Sequence, residues 1–445
     1  MMDKILSFSK IKKFLPIFLI IISQGFIALI IVLIDFVFSK KLNLIEFGAW
    51  KQVFIFLNIF IPVVALGIAE GFKYYIAKSE NSKEYLNDLF FFLVSICLVL
   101  FLVLSFLHLL HFFQIIDLGI YHKVSFLFPV AFLSFILSLS LRYYYINDNN
   151  MIMHTRLIIS YIPFSLLFLG GFYFFFNFLK GYYLYYGVGV YTLLFGLPIY
   201  TLLNKLNFKL SLVRINRNKL LQMFKQGFPL YLATFIGLLS LNLDKILVSV
   251  YENKQVFALF AAGAIEIPVF AMISAAFSNN DYPKLVELME QGKVDQARLK
   301  WVETTKNVSF LTFPMILFMM VFAKQIILTL YSQNFAASVF YFKTYLLIGL
   351  FRNNFYGALM AASGKSKKIG YFSVVLLVLN SIISFFFYWL FGVKAVVFGV
   401  LIATFVYSLI VLFYEGTLKY YFYDFILNKL VFLLIMFIFA AYFFI

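Results

Sequence analysis

Apolar runs of about the twenty residues that a helix needs to cross a bilayer alternate with short polar loops from Phe14 to Ile445. They place spans at 14–38, 53–69, 89–113, 124–146, 157–179, 182–203, 228–250, 256–278, 308–331, 338–362, 370–391 and 395–414. A last apolar run, 425–445, is long enough to cross again or to lie in the interface. The pattern predicts an all-α integral membrane protein of twelve helices, thirteen or fourteen if the tail crosses. One polar stretch, Asp281–Asn307, reads instead as an amphipathic helix pair on the membrane surface, with Leu285, Leu288, Met289, Val294, Ala297, Trp301 and Val302 on its apolar side.

Composition agrees and excludes a soluble fold. The chain is 64% hydrophobic and only 12% charged, against roughly 45–50% and 25% in soluble domains. Its single cysteine, Cys97, rules out an internal disulfide. Charge fixes an orientation: if Lys4, Lys10, Lys12 and Lys13 lie in the cytoplasm, the loops on that side hold 25 of the 36 Lys and Arg residues. The opposite loops hold only Lys40, Lys41, Lys51, Lys123, Lys180, Lys254 and Lys394. By the positive-inside rule the N-terminus is cytoplasmic. The run Phe14–Phe38 is too long for a secretory signal and reads as the first helix.

The longest basic stretch, Asn204–Gly227, contains no acid and follows six spans. It reads either as a loop attracted to anionic headgroups or as the linker between two bundles. Weak self-similarity favours the linker: Gly25, Phe26, Asp35 and Gly48-Ala49-Trp50 in the first half find counterparts in Gly227, Phe228, Asp244 and Ala258-Leu259-Phe260. The expected organisation is a six-helix bundle over 1–203, a basic cytoplasmic linker over 204–227, a second six-helix bundle over 228–424 and an extra helix over 425–445. Duplicated bundles with a site near the midplane are a common transporter plan.

An ionised group within hydrocarbon is costly enough to mark a functional position. Arg352 lies roughly 18 Å into its span at 1.5 Å per residue, beside Asn353 and Asn354. Either it pairs with Glu266 or Asp244, or it meets a phosphate through the bidentate bonds that guanidinium makes. Lys343 and Lys324 are weaker cavity candidates, because both sit near an outer boundary where lysine reaches headgroups. Glu266 precedes Pro268, which removes a backbone donor and opens polar groups to partners; with Asp244, Asp35 and Glu70 it makes a set of coupling or gating candidates. Gln24 and Asn58 line a cavity or hold helices together by amide hydrogen bonds. The histidines His108, His111, His122 and His154 form no metal-ligand spacing, and Gly187-x-Gly189 lacks the context of a nucleotide loop. No P-loop is present, which argues against direct drive by ATP. No cofactor is expected.

Several short motifs stand in order along the chain. They are Glu46-Phe47-Gly48-Ala49-Trp50, Leu66-Gly67-Ile68-Ala69-Glu70-Gly71 and Tyr74-Tyr75-Ile76-Ala77 in the first half. The second half has Gly227-Phe228-Pro229, Asp244-Lys245-Ile246-Leu247, Ala258-Leu259-Phe260, Tyr282-Pro283-Lys284-Leu285, Gly292-Lys293, Pro314, Ala323-Lys324-Gln325-Ile326-Ile327 and Ala361-Ala362-Ser363-Gly364-Lys365-Ser366-Lys367. In this order the chain resembles the polysaccharide flippases (Wzx-type, polysaccharide transport family). Their superfamily, the multidrug/oligosaccharidyl-lipid/polysaccharide (MOP) exporters, also holds the MATE drug exporters and the lipid II flippase.

The resemblance implies a MATE-like fold of two bundles around a central cavity, and translocation of undecaprenyl-pyrophosphate-linked oligosaccharide, an O-antigen or capsule repeat unit, across the bacterial inner membrane by alternating access. It implies an anionic lipid-linked glycan, membrane lipids and a polysaccharide polymerase with its chain-length machinery as partners, H⁺ or Na⁺ as coupling ion, and no nucleic acid. Two rivals remain. A polymerase or glycosyltransferase needs a large outer loop, which these boundaries do not leave, so no enzymatic activity is expected. A drug exporter of the same fold attracts cations, which the basic excess and Arg352 disfavour.

Overall fold

Within hydrocarbon, backbone donors and acceptors find no water, so each apolar run must close its own hydrogen bonds. In the computed structural model, which describes residues 25, 27–76, 82–147, 151–205, 216–352, 354 and 356–444, every regular element among those residues is helical. The chain divides into two units, the first comprising the residues up to Leu42 and Ala49–Phe235, the second Asn43–Gly48 and Ile236–Ile445.

The first unit holds α1 (27–41), most of α2 (Leu44–Ala65), α3 (Ile68–Ile76), α4 (Ser82–Phe112), α5 (Phe128–Asn147), α6 (Met151–Phe174), α7 (Phe176–Leu179) and α8 (Tyr183–Lys205). A reciprocal capping box starts α2: the Asn43 side chain accepts from the Glu46 N–H at 2.9 Å and the Glu46 carboxylate from the Asn43 N–H at 3.0 Å. One face of α4, including Leu98, Leu102, Phe106 and Phe112, is exposed and mostly apolar, as suits a lipid-facing surface. The Gly187 of the glycine pair in α8 is a packing position: a Cβ there would lie 2.4 Å from the Trp50 ring.

The second unit holds α10 (Lys254–Gly263), α11 (Pro268–Glu290), α12 (Val294–Val321), α13 (Ala323–Leu330), α14 (Ser338–Arg352), α15 (Ala358–Ala362), α16 (Ser366–Phe391), α17 (Val393–Glu415), α18 (Leu418–Tyr420), which runs into a π turn Tyr421–Ile426, and α19 (Lys429–Phe444). It also takes the latter part of α9 (Arg217–Tyr251). Cross-links are few and specific. The Asn380 amide donates to the Ser240 carbonyl at 2.8 Å, and the Ser338 hydroxyl to the Leu259 carbonyl at 2.7 Å. The buried Glu415 carboxylate accepts from the Met360 N–H at 3.2 Å, while Arg298 donates to the Glu415 carbonyl at 3.0 Å.

Eight helices among the described residues are long and apolar enough to cross a membrane, and up to ten if each of two bent pairs counts as one span. These fall below the twelve read from hydropathy for identifiable reasons. About half of 14–38 lies outside the described residues. The run 338–362 is broken after Arg352, where Gly357 takes a φ of 88°. The runs 157–179 and 182–203 appear as one bent pair, Ile162–Phe174 with Phe176–Leu193, turned through 89°, and the 425–445 tail joins Leu418–Ile426 across a bend of 82°.

Two further expectations change. The basic stretch 204–227 is not all linker: 206–215 lie outside the described residues, but α9 begins at Arg217, because Leu220, Met223 and Phe224 continue the helical apolar spacing, and the division between the units falls inside it. Nor is Asp281–Asn307 a separate surface pair. It is the end of α11 and the start of α12, joined through Gly292, with Leu285, Ala297, Trp301 and Val302 buried.

Candidate functional site

Two helix breaks in the second unit wall a hollow. Between α10 and α11 the chain leaves the helix from Ala264 to Ile267, held by an Ile265 N–H to Gly263 carbonyl bond of 2.8 Å, and Pro268 restarts it at the first helical position, where a missing N–H does no harm. Between α14 and α15 the helix stops at Arg352 and resumes at Ala358. Glu266 and Arg352 therefore project from helix ends. The arginine sits at a C-terminus and the carboxylate just ahead of an N-terminus, each at the helix pole that favours its charge.

The guanidinium Nη1 donates to Glu266 Oε1 in an ion pair across the two breaks. The pair lines a cavity of about 590 Å³ together with Tyr345, Asn354, Tyr356, Thr404 and Tyr407, the rest of its wall being mostly aliphatic. Its size falls within the roughly 300–1,000 Å³ of small-molecule sites. Asn354 is buried, and its amide donates to the Tyr356 hydroxyl at 2.9 Å and the Tyr421 hydroxyl at 3.0 Å, leaving its carbonyl oxygen without a donor among the described residues. The Tyr356 and Tyr407 rings meet edge to face at 6.2 Å and 83°.

Behind this wall lies Asp244, 1% exposed. The Tyr345 hydroxyl donates to its Oδ2, and Lys245 donates to the same hydroxyl at 3.4 Å while standing 4.0 Å from Asp244 Oδ1. Asp244 is thus a buried packing partner within α9, linked to the cavity through one tyrosine.

Of the residues singled out in the sequence, Arg352, Glu266 and Asn354 come together at this cavity. Asn353 beside them lies outside the described residues, as does Gln24. Lys343, half-buried on α14, and Lys324, exposed on α13, do not line it. The remaining three belong to the first unit. Asn58 is half-buried on α2. Asp35 is buried, accepting from Trp50 Nε1 at 3.1 Å and from the Lys51 ammonium. Glu70 accepts from the Tyr143 hydroxyl at 3.1 Å, with the Lys73 ammonium 5.0 Å from the centre of the Tyr143 ring. The tyrosines of the cavity were not distinguished by sequence. With aromatics at 21% of the chain, a tyrosine in a span carries no contrast; only its proximity to a helix break does.

Broken helices whose ends carry an ion pair and face a cavity mark the second unit of this all-helical fold. Three solved structures share it: an inward-facing multidrug resistance MATE family transporter of the MOP superfamily (TM-score 0.67, 13% identity, 87% of this chain and 93% of that one), the lipid II flippase MurJ in an inward closed conformation (0.66, 13%, 95% and 96%), and a MOP superfamily transporter from Pyrococcus furiosus (0.62, 11%, 91% and 94%). No curated protein sequence matches the chain. The chain belongs to the family described as polysaccharide biosynthesis protein, whose sequence model matches residues 37–340. It is a multi-pass membrane protein with the fold of MOP superfamily transporters.

Proposed function

We propose that this protein translocates an oligosaccharide linked to undecaprenyl pyrophosphate, the repeat unit of an O-antigen or capsule, across the bacterial inner membrane by alternating access, with its N-terminus in the cytoplasm. The observation that carries the reading is the membership of a polysaccharide biosynthesis family by a chain with a transporter fold. A glycan precursor assembled on a lipid in the cytoplasmic leaflet must cross before it is displayed, and a helical bundle with broken spans is a structure suited to passing a polar headgroup while the prenyl tail stays in lipid. The excess of cytoplasmic Lys and Arg draws anionic lipid to the entry side.

Binding alone moves nothing, so inward- and outward-open states must lie close in free energy, with an ion or the substrate biasing them. Glu266 suits the coupling role, since loss of its charge by protonation or its capture of Na⁺ frees Arg352. Transport assayed in vesicles tests this: Glu266→Gln is expected to lose its dependence on the ion gradient, and full dependence retained in that variant removes Glu266 from coupling. The function as a whole is tested by deleting the gene and staining the cell surface for polysaccharide. Loss of stain with accumulation of lipid-linked precursor is expected, and normal display refutes the proposal.

A further inference from the structure

The cavity of the second unit is walled by opposite charges that already satisfy one another. Among the described residues its ionisable lining at neutral pH is Arg352 and Glu266, joined as a pair, so its net charge is zero. A pyrophosphate seated here would have to separate the pair in a medium where desolvated charges are costly. It would then lie against the Glu266 carboxylate, whose like charge repels it. A neutral ligand meets neither obstacle.

The remaining wall offers what a sugar ring uses. Tyr345, Tyr356 and Tyr407 supply aromatic surface against which the C–H face of a pyranose packs, while the Tyr407 hydroxyl supplies a donor and acceptor, and the Asn354 carbonyl and the oxygen of the Thr404 hydroxyl, whose hydrogen goes to the Val400 carbonyl, supply acceptors. The arrangement is preorganised: Asn354 ties Tyr356 to Tyr421, and Tyr356 braces Tyr407 edge to face. The carbonyl oxygen of Asn354, buried with no donor among the described residues, is an acceptor that an entering hydroxyl satisfies. The ion pair itself, with Glu266 about half exposed, presents further hydrogen-bonding edges without offering a free charge.

We infer that this cavity is a subsite for neutral, hydroxyl-rich sugar rings of the transported glycan, and that the pyrophosphate is held elsewhere. The inference rests on the flippase reading and narrows it: Arg352 acts through its pair with Glu266 in shaping a neutral pocket, and recognition falls to the tyrosines and Asn354.

The test compares two probes on the full chain in lipid nanodiscs: bare undecaprenyl pyrophosphate, and the lipid-linked oligosaccharide extracted from cells lacking the gene. Tyr407→Leu is expected to weaken binding of the sugar-bearing lipid by roughly tenfold or more, about the effect of losing one well-placed contact, and to leave binding of the bare lipid unchanged. Tyr407→Phe, which keeps the ring and its packing, is expected to show a smaller loss in the same direction and covers the case in which the leucine variant does not fold. An equal loss for both probes, or no loss in a folded variant, overturns the subsite. If the wild-type protein binds neither probe, the flippase reading itself falls, an outcome distinct from the other two.

Discussion

Arg352 shows how a charge persists at a depth where hydropathy alone would forbid it. Its helix ends at that residue, the guanidinium meets Glu266 from a second helix end, and both face a cavity rather than lipid. The two charges are therefore coupled. Arg352→Gln and Glu266→Gln are each expected to lower thermal stability, and the double variant by less than the sum, with a coupling of about 0.5–3 kcal/mol in a double-mutant cycle; strict additivity means that the pair does not form in the membrane. Arg352→Ala is expected to abolish surface glycan at normal protein level, whereas Arg352→Lys keeps a charge without the planar fork and retains part of it. In the first unit, Asp35 sits between Trp50 and Lys51 in a buried site. Asp35→Ala breaks the buried pair with Lys51 and is expected to cost about 3–5 kcal/mol, as breaking such pairs does, read as a drop in midpoint temperature in detergent.

At the scale of elements, the close crossing of α3 with the start of α9 is set by small residues. A Cβ on Gly227 would lie 1.8 Å from the Gly67 carbonyl oxygen, and one on Gly71 would lie 1.9 Å from the Met223 carbonyl oxygen, so the backbones touch as in small-residue crossings of membrane helices. Gly227→Ala is expected to destabilise by about 1–3 kcal/mol through overpacking. Gly237→Ala on the same helix, with nothing within 4 Å of the added carbon, is expected to be neutral or to stabilise slightly, by up to about 1 kcal/mol from helix propensity. Equal effects at the two glycines, measured by thermal unfolding, contradict the close crossing. The same contrast explains what was legible in the sequence. Gly227 was visible as a motif residue, but as the opener of a helix; its true place, ten residues into α9, depends on Met223 and Phe224 extending the helix backwards through a basic stretch.

For the whole molecule, the described apolar runs are helical because the bilayer leaves a long hydrophobic segment few alternatives. Breaks within spans were less legible. Pro268 announced one, since its missing donor opens the backbone beside Glu266. The other, after Arg352, gave no such warning: Asn354 and Gly357 sit in a run whose hydropathy reads as one continuous helix. For that reason Arg352 could be placed in depth but not at a helix end, and its partner remained open between Glu266 and Asp244. The cavity wall was least legible of all, because tyrosines from α14, α17 and the break meet only after folding.

The proposed movement of a lipid-linked glycan across the membrane can be followed directly. The most direct measurement follows that lipid in proteoliposomes reconstituted with the purified protein, using the precursor extracted from deletion cells and a membrane-impermeant reagent that modifies its sugars only on the outer face. Time-dependent exposure of precursor is expected with the wild-type protein, and exposure at the rate of protein-free liposomes with Arg352→Ala. Exposure that is no faster with the wild-type protein than without it rules out translocation of this lipid by the protein.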